Sequence, residues 1–149
     1  MINIPKVKLG VVAVSRDCFP IDLSERRRAA LMQALKARGV EAVEIQTTVE
    51  NELDAKKALS ELVAQNFDGP VMFVAAAEED IAVLASSRGD AYCGLLNASY
   101  NLGIRGVKAF IPEEPVGMPE ELAAVIQDEF LPVACALIGV KKLKIFGFG

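Results

Sequence analysis

Apolar positions come in short, nearly continuous runs separated by stretches of helical spacing. Val7 to Val14 (VKLGVVAV) reads as a strand buried on both faces of a parallel sheet. The loop Ser15-Arg16-Asp17-Cys18-Phe19-Pro20 follows, and Asp22-Leu23-Ser24-Glu25 gives an acidic variant of a capping box. The helix it opens carries Leu31 and Leu35 four apart on one face and stops at Gly39. Val40 to Ile45 is the second predicted strand. Asn51 caps a second helix running to about Gln65, and Asn66-Phe67-Asp68-Gly69 turns the chain into a third strand, Pro70 to Ala76.

Asp80 to Ser86 reads as helical, and Ser87-Arg88-Gly89-Asp90 interrupts it and caps a further helix ending at Gly103. Val107 to Ile111 is the fourth predicted strand. Pro119 suits the first turn of a long last helix, which Pro132 is expected to kink or break. Leu143 to Phe146 supplies a fifth strand. Strands alternating with helices in this way predict an α/β fold, a doubly wound, mainly parallel five-stranded sheet with helices on both faces. Residues 1–149 form one domain, with no internal repeat, low-complexity segment or linker.

The helix before Gly103 departs from a plain core pattern. Tyr92, Asn97, Ser99, Tyr100 and Asn101 alternate with Ala91, Cys93, Leu95, Leu96, Ala98 and Leu102, leaving no wide polar stripe. Buried polar groups are costly without partners, so a packed hydrogen-bond network against the sheet or a neighbouring subunit is expected there.

Composition narrows the function classes. The chain is 52% hydrophobic, which leaves room for a strongly buried sheet or for apolar surface hidden by a partner. A net charge of -4 argues against nucleic-acid binding, and 6% aromatics with no Trp against a base-stacking platform. The N-terminus lacks a secretory pattern, and the longest apolar run, Phe130 to Val140, is too short to span a bilayer. Three widely spaced cysteines, Cys18, Cys93 and Cys135, fit reduced thiols, so a cytoplasmic protein with no membrane partner is expected. Cys93 and Cys135 read as small core residues and Cys18 as an ordinary loop cysteine near Arg16. The absence of histidine removes Ser-His and Cys-His nucleophile pairs and His-based metal sites.

Ligands of open α/β sheets bind beyond the carboxyl ends of the strands. Those ends carry Ser15-Arg16-Asp17-Cys18, Thr47-Thr48, Glu78-Glu79-Asp80 and Glu113-Glu114. Arg16 among these carboxylates suits a polyhydroxylated or anionic ligand, against the plainer reading of solvated loop charges. SRDCFP has no glycines for a dinucleotide, no flavin phosphate loop and no acidic pair for phosphotransfer. Ser24 stands where a cysteine phosphatase would need arginine. Arg26-Arg27-Arg28 sit early in the first helix, against its dipole, and read as a solvated face, with a subunit contact second. Arg88-Gly89-Asp90 reads as a turn and cap.

Three blocks carry a family resemblance: VVAVSRDCFPIDLSERRRAAL (Val11 to Leu31), FDGPVMFVAAAEE (Phe67 to Glu79) and GDAYCGLLNASYNLGIRGVKAFIPEEPVG (Gly89 to Gly117). They resemble the N-terminal region of the L-fucose isomerase-like and L-arabinose isomerase-like enzymes, which interconvert aldose and ketose sugars. The resemblance implies a flavodoxin-like (Rossmann-like) domain that walls a sugar pocket in an oligomer. It also implies that Mn2+ or another divalent metal is held by Glu, Asp and His of later domains. With no histidine here, no catalytic or metal ligand carries over, and no cofactor is expected in this chain. Arg16 is the expected substrate contact, with Glu78 and Glu79 behind it. Expected partners are a second copy or the remaining isomerase domains, and a sugar ligand.

The chain departs from the resemblance before Phe67-Asp68-Gly69-Pro70, where family members carry an additional strand, loop and helix. That implies a natural truncation or a deliberately shortened domain, inactive alone. A free-standing flavodoxin-like small-ligand-binding domain, or a structural domain without activity, is the competing expectation.

Overall fold

The computed structural model describes residues 4–78 and 88–142. The expected helix over Asp80 to Ser86, the strand over Leu143 to Phe146 and the candidate Glu79 lie outside them.

Among the described residues, two parallel ladders form the sheet structure. β1 (Leu9–Val11) pairs with β2 (Ala42–Glu44), Leu9 opposite Ala42, and a bridge from Val14 to Val49 extends the contact. β3 (Ala75–Ala76) pairs with β4 (Val116–Gly117), preceded by a bridge from Met72 to Phe110. Four helices accompany them among the described residues: α1 (Ile21–Ala37), α2 (Glu52–Ala64), α3 (Ala91–Gly103) and α4 (Pro119–Lys141).

The five-stranded doubly wound sheet is therefore not what forms. Among the described residues, no strand pairing joins the β1–β2 ladder to the β3–β4 ladder. In a flavodoxin-like order the third strand lies between the first and the fourth. Here the chain runs from α2 straight into the Asn66 turn, with no strand between. The fourth strand is also displaced from Val107–Ile111 to Val116–Gly117. Pro112 and Pro115 lack the N–H that a ladder uses, and between the Met72–Phe110 bridge and the Ala75–Val116 pair five residues on this side oppose two on the other.

One core joins the β1–β2 ladder to the Met72–Phe110 bridge. Leu9, Ala34, Leu35, Ala123, Ile126 and Phe130 are buried together, with Val11, Met72 and Phe110 packed against them. α1 and the first half of α4 thus cover β1 and the Met72–Phe110 bridge, and the Phe110 and Phe130 rings lie 5.9 Å apart.

Local chemistry sets the helix ends. α1 begins at Ile21 behind Pro20 with no side-chain cap, so Asp22 is a first-turn acid rather than the cap expected. Its end matches the expected stop: Gly39 takes φ +73°, open to glycine without steric cost. Asn51 caps α2 as expected, its Oδ1 accepting from Leu53 N at 2.9 Å and Asp54 N at 3.1 Å. Pro119 opens α4, and Glu121 accepts from Met118 N at 2.8 Å.

Pro132 does not break α4. A π-helical turn, Ile126–Phe130, precedes it, in which Leu131 N donates to Ile126 O. The wider turn relieves the clash that a proline ring makes with the carbonyl four residues back. By length and composition α4 suffices to cross a membrane, its most apolar window having mean hydropathy 1.6. Its first half nevertheless packs Leu122, Ala123, Ile126 and Phe130 into the core. The second half leaves Val133, Leu137 and Val140 exposed.

Within one chain, α3 does not pack the expected polar network against the sheet. Only Leu95 is buried, while Tyr92, Leu96 and Tyr100 are exposed. Its amides bond along their own helix: Asn101 Nδ2 donates to Asn97 Oδ1 at 2.7 Å, and Arg105 Nη1 to Asn101 Oδ1 at 3.1 Å. Positions four apart share a face, so these polar groups satisfy one another in solvent.

Candidate functional site

α1 projects successive arginines in three directions. Arg26 is exposed and pairs with Asp22 one turn back at 3.2 Å. Arg27 lies four residues from both Leu23 and Leu31, on the apolar stripe, so its guanidinium is carried inward. Its Nη2 donates to Glu78 Oε2 at 2.9 Å and to Ala77 O at 3.2 Å. Arg28 is buried: Nε donates to Glu44 Oε1 at 2.8 Å, and Nη1 to Thr48 Oγ1 at 3.1 Å and Gln46 O at 3.3 Å. The solvated face read from the sequence holds for Arg26 alone.

Glu78 is the junction of this edge. One oxygen meets Arg27, and the other accepts from Gly89 N at 3.1 Å and Asp90 N at 3.0 Å. The end of β3 is thereby tied to α1 and to the start of α3. Burial alone would raise the Glu78 pKa, but Arg27 and the two amides outweigh it and hold the carboxyl below its ordinary value. A Cβ at Gly89 would stand 2.5 Å from Arg27 Nη1, so a side chain there requires the guanidinium to shift.

A second carboxylate holds the end of β2. Glu61 accepts from Gln46 N at 2.7 Å, from Thr47 N at 3.2 Å and from the Thr47 hydroxyl. The Thr47 hydroxyl, followed by the Gln46 amide, lowers its pKa.

Arg16 follows β1 in a turn closed by Phe19 N to Arg16 O at 3.0 Å. Its charge and that of Arg88 act on Cys93 in the first turn of α3. Asp90, at φ 45°, precedes that helix and pairs with Arg88 at 3.5 Å. A hydrogen bond and charge from Asp90 outweigh both arginines and push the Cys93 thiol up, so it is not an activated nucleophile. Cys93 is exposed rather than a core residue, Cys18 is exposed, and Cys135 is half-buried with Sγ 3.6 Å from Pro5 O.

The structure thus gathers Arg27, Glu78, Gly89 and Asp90, with Cys93 in the first turn of α3 and Arg16 in the turn after β1. Of the sequence candidates, Glu78 is placed at this edge, Arg16 lies in the turn after β1, and Glu79 is not described. Arg27 was missed, although its spacing from Leu23 and Leu31 marks it as inward-facing. Ser15 Oγ and Arg27 Nε are buried with no hydrogen-bond partner among the described residues.

Metal chemistry finds little here. Among the described residues no three His, Cys, Asp or Glu side chains converge, and both Glu78 oxygens already accept from protein groups. The described residues do not fit a divalent cation on their own. An open groove of about 330 Å³ lies elsewhere, beside the start of β2.

The pattern of the fucose/sulfoquinovose isomerase N-terminal domain matches residues 10–64 and 60–141. The two stretches share residues 60–64. No curated protein and no solved structure matches the chain.

Proposed function

Because the chain belongs to the fucose/sulfoquinovose isomerase N-terminal domain family, we propose that it acts as a pocket-wall and assembly domain of a metal-dependent aldose–ketose isomerase. It has no activity alone. The family match over most of the chain carries this reading, and the absence of histidine is in keeping with chemistry placed in other domains.

Arg16 faces the sugar in this reading. It sits at the carboxyl end of β1 beside the start of α3, where the family's pocket wall would lie. Glu78 supports rather than binds, because its carboxylate fixes β3, α1 and α3 relative to one another. Mn2+ or another divalent metal is supplied by the catalytic domains, and the assembled protein is cytoplasmic. The assembly partners are those domains and a second copy of this chain.

Complementation tests the reading. A family isomerase lacking its N-terminal domain should gain aldose–ketose activity when mixed with this chain, and an Arg16→Ala chain should raise KM with kcat less affected. Full activity of the truncated enzyme without any added chain would count against it.

A further inference from the structure

β2 lies at the edge of its ladder, and its outer side is unevenly covered. Ile45 N donates to Val11 O at 3.0 Å, so Val43 and Ile45 turn their backbone groups toward β1, as alternate residues of a parallel pair do. Ala42 and Glu44 turn theirs outward. Further along, Glu61 covers the edge by accepting from Gln46 N and Thr47 N. No such carboxylate covers Ala42 and Glu44 among the described residues.

Beside these two residues opens the groove of about 330 Å³, lined by Met32, Gln33 and Lys36 of α1 and by Val40, Glu41 and Ala42. Lys36 makes no ion pair among the described residues. An uncovered edge is a template for another strand.

We propose that this groove and edge bind a second copy of the chain, by antiparallel pairing of β2 with β2 about a two-fold axis at Val43. In that register Ala42 faces Glu44 of the second copy and exchanges both N–H···O bonds with it. The symmetric pair repeats the exchange. Val43 faces Val43 as a non-bonded pair, its own backbone groups being engaged with β1. Every outward backbone group of the strand then finds a partner.

The side chains favour the same register. Glu44 stands on the α1 side of its ladder, where Arg28 holds one carboxylate oxygen, and its side chain stays 35% exposed. Glu44 of the second copy therefore arrives over Ala42, in the groove that Lys36 borders. The two-fold axis repeats this opposite-charge contact, which makes the surface self-complementary. A foreign extended peptide would find the same edge but not this repeated pairing.

Light scattering on the eluting 149-residue chain tests the proposal across a concentration series. The expected mass rises with concentration toward twice the 16.0 kDa of one chain. Lys36→Glu, which sets like charge against Glu44, returns it to one chain's mass, and Lys36→Arg does not. Ala42→Pro removes an outward N–H that the β1 ladder does not use, and also returns it to one chain's mass. Lys36 is exposed on a helix, so its variants keep the test decisive where the proline variant fails to fold. A single-chain mass at every concentration, or a dimer that folded Lys36→Glu leaves intact, overturns the proposal. The inference specifies the self-association proposed above, and its failure leaves the sugar-pocket reading to the complementation assay.

Discussion

Arg27 and Glu78 meet at 2.9 Å although 51 residues separate them, and their pairing ties α1 to the end of β3. The Arg27 side chain is 11% exposed and the Glu78 side chain 28%. Removing one partner leaves the other charge largely out of water. Arg27→Ala is expected to cost about 2–4 kcal/mol in urea unfolding, because a partly buried charge loses its counter-ion. Glu78→Gln keeps the shape and is expected to cost about 1–3 kcal/mol, the range for hydrogen bonds to charged groups. A double-mutant cycle should give a clear coupling term, and additive costs would contradict the direct pairing.

The three consecutive arginines should not respond alike. Arg26→Ala removes an exposed i,i+4 pair and is expected to change stability by about 0.5 kcal/mol or less. Arg28→Ala strips the buried Glu44, Thr48 and Gln46 contacts and is expected to cost about 2–4 kcal/mol. Equal small losses at both positions would restore the reading of a uniformly solvated face.

Gly89→Ala forces the Arg27 guanidinium aside, since the new methyl would stand 2.5 Å from Nη1. Overpacking of this kind costs about 1–3 kcal/mol. The loss should shrink in an Arg27→Ala background, which urea titration of the double variant would reveal.

Glu78 and Glu61 both sit below the ordinary carboxylate value of 4.5 in the folded chain. Groups depressed by folding stabilise above their unfolded pKa, and that contribution is lost as pH falls through the folded pKa. The urea midpoint should therefore hold steady from pH 7 to about 5 and fall below about 4.5, the onset expected from linkage. Glu61→Gln and Glu78→Gln should each flatten the fall, and parallel curves for wild type and variants would contradict it.

The raised Cys93 thiol should alkylate more slowly near pH 8 than an unperturbed exposed cysteine, since the thiolate is the reactive form. Asp90→Asn removes the cause and should speed it, read by mass spectrometry of iodoacetamide-treated protein.

The sequence made local structure legible where one residue decides the geometry. Asn51 has the side chain to cap α2, Gly39 tolerates the left-handed turn after α1, and Pro119 suits a first helical turn. Long-range relations were less legible. Strand pairing between the ladders depends on a unit that would lie between α2 and the Asn66 turn, so local apolar runs could not report its loss. Alternating proline at 112 and 115 moved the fourth strand, a signal that was present but outweighed by the apolar run before it. α3 misled because mixed polar and apolar residues were read as buried, whereas Asn97, Asn101 and Arg105 bond along an exposed face. At the candidate site, Arg27 was legible from helical spacing, but its partner Glu78 was not, since nothing local links residues so far apart.

The most direct test of a pocket-wall domain is an isomerase assay on the purified 149-residue chain with L-fucose and added Mn2+. The expected result is no aldose–ketose interconversion by the chain alone and restored turnover once the catalytic domains are added. Interconversion by the chain on its own, abolished by a metal chelator, would contradict it.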